Sequence, residues 1–444
     1  MPTGPADAST RELTVDEAVA IAIQLQRREQ LREAHELFRR VLETVPDHPD
    51  ALHYSGVLAH QQGRKTEAIA LIERSLALVP DRADWHSNLG IVLQSEGRFE
   101  DAIVRYRHAI DLDPNHANAF NNLGVLLRAT GRPVEAEAAY RDAIARNSSH
   151  VDAYTNLGIL LNSLKRSEEA SACYSKVITL QPKHRDARRL LALAHCALGE
   201  IGEAVKIFET WRAEEPDDPI AEHMLAACTG RTVPARASDA FVAKTFDSFA
   251  ASFESKLQRL YYRAPALVLE AVEEGGIPAS KSIDVLDAGC GTGLCGPLLA
   301  PYARRMTGVD LSEGMLARAR EKNVYDLLVK GELTDFLRRH HEAFDLIASA
   351  DTLVYFGDLR PVVSAIAGAL RPRGQAAFTL EHATGAPPRV DYRLEYHGRY
   401  SHAQPYVEAL LAAAGLTTHV RRGDLRMEGG VPVAGLIVRA LKPA

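Results

Sequence analysis

Ile283 to Gly293 reads Ile-Asp-Val-Leu-Asp-Ala-Gly-Cys-Gly-Thr-Gly, and nineteen residues after Gly291 the chain reads Gly-Val-Asp310-Leu-Ser. One apolar run ends in an acid, Asp287, and passes through Gly289, Gly291 and Gly293 into the start of a helix. A second apolar run ends in Asp310. Glycines let the main chain come close to a ligand, and a carboxylate at the end of the next strand can accept both hydroxyls of a ribose. The chemistry implied is the holding of an adenosine-containing cofactor by a βαβ unit.

Gly291-Thr-Gly293-Leu-Cys-Gly296 also satisfies the dinucleotide fingerprint. Asp287 separates the two cofactor types. A dinucleotide lays its pyrophosphate on this loop, where a carboxylate would repel it. S-adenosylmethionine brings a cationic amine and a sulfonium, which favour an acid there. The loop and Asp310 resemble motifs I and II of class I S-adenosylmethionine-dependent methyltransferases. The resemblance implies further cofactor positions. Leu311 stands beside the ribose acid, and Met315 packs on the adenine ring, unless it is ordinary helix core. Glu332 accepts from the adenine amino group, Leu333 offers the adjacent backbone N–H, and Asp351 ends the fourth strand beside the transfer site.

These residues need a sheet whose strand ends face one edge, since ligands of open α/β sheets bind at the carboxyl ends of strands. Alternating apolar runs predict strands over 283–287, 306–310, 327–330, 344–350 and 375–380. Helices fall between them, among them Glu313–Lys322 after the cap Ser312 and Leu359–Leu370 after Asp358. Pro405 to Ala414 is helical, and Leu416–Arg421 with Gly435–Leu441 form a closing strand pair. That pair resembles the end of the seven-stranded methyltransferase sheet, in which the last strand inserts antiparallel. Ahead of the sheet, Phe246, Phe249 and Phe253 recur at helical spacing from Asp239 to about Leu260. That helix covers the cofactor, packs between domains, or does both.

Methyl transfer asks the protein mainly to align the acceptor and exclude water. After the fourth strand stands Asp351-Thr-Leu-Val-Tyr355, not the Asn/Asp-Pro-Pro-Tyr of adenine-N6 or glutamine-amide methylation. The segment Glu381-His382-Ala-Thr-Gly, then Tyr396-His397-Gly-Arg399-Tyr400-Ser-His402, gathers aromatics, an arginine and histidines near the active edge. It suits an anionic or planar acceptor, with Asp351, Arg399, Tyr400 and His402 as the substrate-side candidates. The alternatives are packing for the aromatics and a helix cap for His402.

The first half of the chain is periodic at 34 residues. Pro46, Pro80, Pro114, Pro182 and Pro216 keep register, as do Ala34, Ala68, Ala102, Ala136, Ala170 and Ala204. Gly56, Gly90, Gly124 and Gly158 form another column. Gly63, Gly97, Gly131 and Gly199 mark the turn, with Lys165 as the exception. These columns resemble the tetratricopeptide repeat, with six units and a closing helix over Pro219 to Ala227. Such arrays hold peptides in a groove lined by the first helix of each unit. Asn88, Asn122 and Asn156 share one column of that helix and are the partner-binding candidates. Asp84, Asn118 and Asp152 lie one turn earlier, where helix-dipole complementarity explains the acids as well. His48, His116, His150 and His184 recur in the inter-repeat loop, one per repeat and too far apart to share an ion. No metal site is expected.

Composition adds exclusions. With 444 residues there is room for two or three cores, and a net charge of −6 argues against a nucleic-acid-binding surface. The five cysteines contain no C-x-x-C pair, Cys290 is small filler between loop glycines, and the chain shows neither signal peptide nor membrane span. A cytoplasmic protein is expected.

The predicted organisation is a disordered N-terminus over 1–12, repeats over 13–230, a linker over 231–238 and a cofactor domain over 239–444. The fold class is an all-α tetratricopeptide superhelix (an α-solenoid) followed by a Rossmann-like, seven-stranded α/β class I methyltransferase domain. The expected function is S-adenosylmethionine-dependent methylation of a protein or small molecule, with a protein or peptide partner recruited by the repeats. A repeat scaffold whose methyltransferase-like domain binds cofactor without turnover is the alternative, and a nicotinamide-linked oxidoreductase is the third reading.

Overall fold

The computed structural model describes residues 13–247, 249–250, 253–254, 257, 260–384, 390–428 and 431–444. The expectation for 1–12 lies outside them, as do parts of the 239–260 helix and Gly385. The chain divides into two compact units, Met1–Leu160 and Leu161–Ala444.

The first unit is built from antiparallel helix pairs: α1 (Val15–Arg27), α2 (Leu31–Thr44), α3 (Pro49–Gln61), α4 (Lys65–Leu78), α5 (Ala83–Ser95), α6 (Phe99–Leu112), α7 (Ala117–Ala129) and α8 (Pro133–Arg146). The next helix, α9 (Val151–Ser163), contains the division between units. The periodic columns now have physical causes. A Cβ on Gly90 would meet Tyr106 at 2.6 Å and one on Gly124 would meet Tyr140 at 2.7 Å, so the small residue is what lets paired helices approach. The turn glycines Gly63, Gly97, Gly131 and Gly199 all sit at φ 77–78°, and Lys165 takes the same left-handed conformation at φ 64°. The loop histidines cap the following helix. Nδ1 of His48, His116, His150 and His184 each accepts the N–H three residues on, at 3.1–3.3 Å.

The second unit continues with α10 (Ser167–Leu180), α11 (Arg185–Ala197), α12 (Ile201–Glu214), α13 (Pro219–Thr229) and α14 (Asp239–Asp247). The stretch expected as a plain linker is bound instead. Ala237 N–H donates to Tyr355 O, and the N–H groups of Gly357 and Asp358 donate to Ala235 O at 2.9 and 2.8 Å.

The strands are β1 (Ile283–Ala288), β2 (Ala303–Asp310), β3 (Leu327–Lys330), β4 (Phe344–Ser349), β5 (Leu370–His382), β6 (Tyr392–Leu394), β7 (Tyr400–His402), β8 (Thr417–Glu428) and β9 (Val431–Leu441). The order β3-β2-β1-β4-β5 is parallel, β9 lies antiparallel on β5, and β8 lies antiparallel on β9. Those seven strands match the expected sheet. The other two are an addition: β7 continues the end of β5 through Glu381↔Ser401, and β6 pairs with β7. Neighbouring residues feed opposite cores. Leu286, Ile347 and Val438 enter one, while Val285, Leu346 and Ile437 enter the other, so both faces of the sheet are covered.

Candidate functional site

At the carboxyl ends of β1, β2 and β4 the second unit encloses a cavity of about 300 Å³. Gly289, Gly291 and Gly293 turn at φ 72°, 54° and 83°, and Gly291 has nothing within 4 Å of where a Cβ would sit. Asp310 fixes this loop. Its Oδ2 accepts the Gly291 N–H and its Oδ1 accepts the Ser312 N–H, both at 2.9 Å. Burial raises its pKa while those amides oppose the rise. Ser312 caps the following helix by accepting the Met315 N–H at 3.1 Å, which seats Met315 in the cavity wall. Leu311, Glu332 and Leu333 also line it. Glu332 is itself a helix cap, accepting the Asp335 N–H at 2.8 Å. That bond occupies one lone pair of the carboxylate expected to face an adenine.

Asp287 lines the cavity but is 1% exposed, and its Oδ2 accepts from the Tyr325 hydroxyl at 2.6 Å. Burial pushes its pKa up to about 7 against that hydrogen bond, with Asp310 adding to the rise. Asp351, one of the named substrate-side residues, takes the left-handed conformation at φ 57°. Its N–H donates to Thr379 Oγ1 at 2.9 Å and its Oδ2 accepts from Arg426 Nη1 at 2.5 Å. Asp351 Oδ1 and Thr292 Oγ1 are both buried without a hydrogen-bond partner. These orphaned oxygens of cavity residues fit a ligand that brings donors, as the amine of S-adenosylmethionine does.

The rest of the wall is aromatic. Phe246, Phe249 and Phe253 pack at 5.5–5.9 Å between ring centroids, and Tyr355 meets Phe246 edge-on at 5.5 Å. All four rings line the cavity with Tyr262, so the helical segment does cover the site as well as pack. Asp247 ties α14 to the Asp310 loop by accepting from Ser312 Oγ and from Gly314 N–H.

The structure places two of the substrate-side candidates, Tyr400 and His402, away from the cavity and a third, Arg399, in its wall. Tyr400 is fully buried and its hydroxyl donates to Pro234 O at 2.7 Å. His402 is fully buried and its Nε2–H donates to Phe356 O at 2.8 Å, with its pKa lowered to about 4 by burial. Neither residue lines the cavity. Their segment is the β6–β7 hairpin, which packs Leu394 and Tyr400 against Ala226 and Ala227 of α13. Arg399 does line the cavity, but its Nε donates to Glu381 at 2.6 Å and its Nη2 to Glu428 at 2.8 Å. Arg399 therefore reaches the cavity wall with its charge paired to protein carboxylates.

Sequence reasoning missed Arg426, Glu428, Tyr262 and Arg236, all of which line the cavity. Nothing about a single arginine in β8 distinguishes it before the sheet is assembled. On the repeats, Asn88 Nδ2 lies 3.1 Å from His53 Nε2, and Asn156 donates to Asn121 at 3.1 Å, which in turn reaches Asn122 at 3.4 Å. The three candidates therefore bond to the neighbouring side chains His53 and Asn121, and all three are half-buried. Among the described residues no group of acids, histidines and cysteines has metal-holding geometry, and no helix is long and apolar enough to cross a membrane.

Comparison with known proteins agrees with this geometry. A methyltransferase domain model matches residues 286–378, and tetratricopeptide repeat models match 19–83, 81–149, 131–175 and 161–228. A ubiquinone biosynthesis O-methyltransferase from Hydrogenovibrio crunogenus is 32% identical over 101 residues, 21% of this chain and 41% of that protein. A malonyl-[acyl-carrier protein] O-methyltransferase from Enterobacter lignolyticus is 29% identical over 171 residues, 37% of this chain and 66% of its own. A biotin biosynthesis bifunctional protein from Saccharophagus degradans is 31% identical over 163 residues, 36% of this chain and 27% of its own. The chain thus spans between about a quarter and two thirds of the length of these relatives. The protein carries an array of tetratricopeptide repeats joined to a methyltransferase domain.

Proposed function

We propose that this chain is an S-adenosylmethionine-dependent methyltransferase whose repeats recruit a protein, as the substrate or as the carrier of one. The observation that supports it most is the bond from Asp310 to the Gly291 amide. It sets an acid and an open glycine in the wall of a cavity that Asp351 also lines. The cofactor supplies an electrophilic methyl group when bound. Asp310 and the glycine loop hold its ribose, Met315 and Leu311 flank its adenine, and Asp351 takes its amine. The Phe246, Phe249 and Phe253 wall excludes water from the reacting atoms. Burial raises the pKa of Tyr355 to about 12, so it serves as a hydrogen-bond donor at neutral pH and not as a base. Among the described residues the cavity arginines are all paired with carboxylates, Arg236 with Asp239, Arg399 with Glu381 and Glu428, and Arg426 with Asp351, Glu381 and Glu428. The asparagines Asn88, Asn122 and Asn156 are the proposed contacts for an extended partner chain, through the bonding capacity that their contacts with His53 and Asn121 leave.

Incubation of the purified chain with methyl-labelled S-adenosylmethionine and cell lysate tests this function. Label is expected in a protein or small-molecule fraction and absent when Asp310 is replaced. Tight cofactor binding with label in neither fraction would favour the silent scaffold.

A further inference from the structure

We infer that Arg426 is a positioning residue of the cofactor site, acting through Asp351 to present an ionised carboxylate to the cofactor's ammonium group. The inference rests on the S-adenosylmethionine reading above. Arg426 sits just beyond a register irregularity in β8, between Asp424 and Arg426, which turns its side chain inward. The side chain is 3% exposed. Its guanidinium serves three carboxylates from three elements: Nη1 to Asp351 after β4, Nη2 to Glu381 on β5, and Nε to Glu428 at 2.6 Å. Only a planar fork with five donors can do this, so lysine is no equivalent.

Charge decides what the cluster is for. Asp351, Glu381 and Glu428 face Arg399 and Arg426, and the phenols Tyr262 and Tyr355 stand in the same wall. Among the described residues three carboxylates thus face two guanidiniums, and His397, whose Nε2 lies 3.6 Å from Glu381 Oε2, has its pKa lowered to about 4 by burial and adds no charge near neutrality. Asp351 Oδ1, the oxygen without a donor, belongs to this cluster. Burial raises the Asp351 pKa, and the Arg426 charge is the main opposing influence. Glu428, beside both arginines, is held down at about 2 in spite of its burial. Removing Arg426 would leave three carboxylates facing one guanidinium. The cheapest relief is for Asp351 to take up a proton, which removes the charge an ammonium needs. The same removal frees a backbone held at φ 57°, a conformation a non-glycine residue keeps only when its surroundings enforce it.

A purely structural role for Arg426, stapling β4, β5 and β8, predicts that every ligand weakens alike. The test is calorimetric titration of the full chain with S-adenosylhomocysteine and with 5′-methylthioadenosine. Both carry the adenosine, and only the first has the amino-acid group. In Arg426→Met the affinity for S-adenosylhomocysteine should fall by about 10- to 100-fold, while that for 5′-methylthioadenosine stays within about twofold. The lost affinity should return in part as pH is raised, because deprotonation of Asp351 restores the charge. Equal weakening of both ligands, or no weakening in a folded variant, overturns the inference. If Arg426→Met does not fold, Asp351→Asn and Arg426→Lys decide. Both should lose S-adenosylhomocysteine selectively, the lysine variant by less, and a non-selective loss in both overturns it. Failure of the unaltered chain to bind either ligand would refute the cofactor reading itself, and this inference with it.

Discussion

On one side of the cavity, Gly289, Gly291, Gly293 and Asp310 belong to a single βαβ unit, and the contacts that fix them run from backbone amides to one carboxylate. On the other side, Asp351, Glu381, Arg399, Arg426 and Glu428 come from the end of β4, the end of β5, the β6–β7 hairpin and β8, joined by side chain to side chain. The first side is stabilised by spacing along the chain. The second exists only once β9 has inserted beside β5 and brought β8 with it. Backbone donors onto one acid fix the loop at which the cofactor's ribose is proposed to bind. A buried ionic group of three carboxylates and two guanidiniums gives a side whose state depends on pH and on what binds.

Replacing Asp310 should break the first side outright, and it carries the largest expected effect. Asp310→Ala removes the proposed ribose acceptor and also the acceptor of the Gly291 amide. Affinity for S-adenosylhomocysteine should fall by at least about 100-fold, roughly 3 kcal/mol, with 5′-methylthioadenosine losing as much. The contrast with Arg426 is the point, since loss at the ribose end ignores the amino-acid group. A selective loss in Asp310→Ala would undo the division of labour between the two sides.

Asp287 tests the electrostatics between them. Its folded pKa, about 7, lies above the ordinary value, so the folded protein holds a proton that the unfolded chain has released. Stability from this group is complete below the unfolded value near 4 and is lost as pH rises through about 7. Asp287→Asn should therefore stabilise the ligand-free protein at pH 8 by roughly 2–4 kcal/mol, the gain shrinking toward pH 4. Thermal melts at both ends of that range check the sign. Greater stabilisation at pH 5 than at pH 8 would contradict it.

The hairpin is where sequence reading and structure part most clearly. Tyr400→Phe should cost about 1 kcal/mol of stability through the lost bond to Pro234 O and leave cofactor affinity and turnover unchanged. A fall in turnover without a change in melting temperature would restore Tyr400 to the active site. The reason for the difference is physical. Tyr396 to His402 has the composition of a binding loop, but Tyr400 and His402 are buried in a hairpin that packs on α13 and pairs with β5, and neither partner is near in sequence. The glycine loop, the cap at Ser312 and the closing antiparallel pair were legible because each depends on a few neighbouring residues. Arg426 was not, because two of its three carboxylates, Asp351 after β4 and Glu381 on β5, come from distant elements. The 34-residue columns were legible for the same local reason, although Glu29 and Lys165 take at φ 61° and 64° the turn conformation that the other repeats give to glycine.

The loop histidines give the smallest effect and the sharpest local one. His116 Nδ1 accepts the Ala119 amide at 3.2 Å, and its Nε2 lies 3.0 Å from Asp84 Oδ1 one repeat earlier. One ring therefore caps α7 and reaches back to α5. His116→Ala should cost about 0.5–1 kcal/mol. In a repeat array a local loss of this size is felt mainly by the unit and its neighbours. Hydrogen exchange should therefore quicken at the first amides of Ala117–Ala129, while the β1–β2 amides of the second unit keep their protection. Substituting Asn restores a capping oxygen and should recover most of the protection, whereas Lys should not. Uniform quickening across both units would mean that the histidine supports the array as a whole.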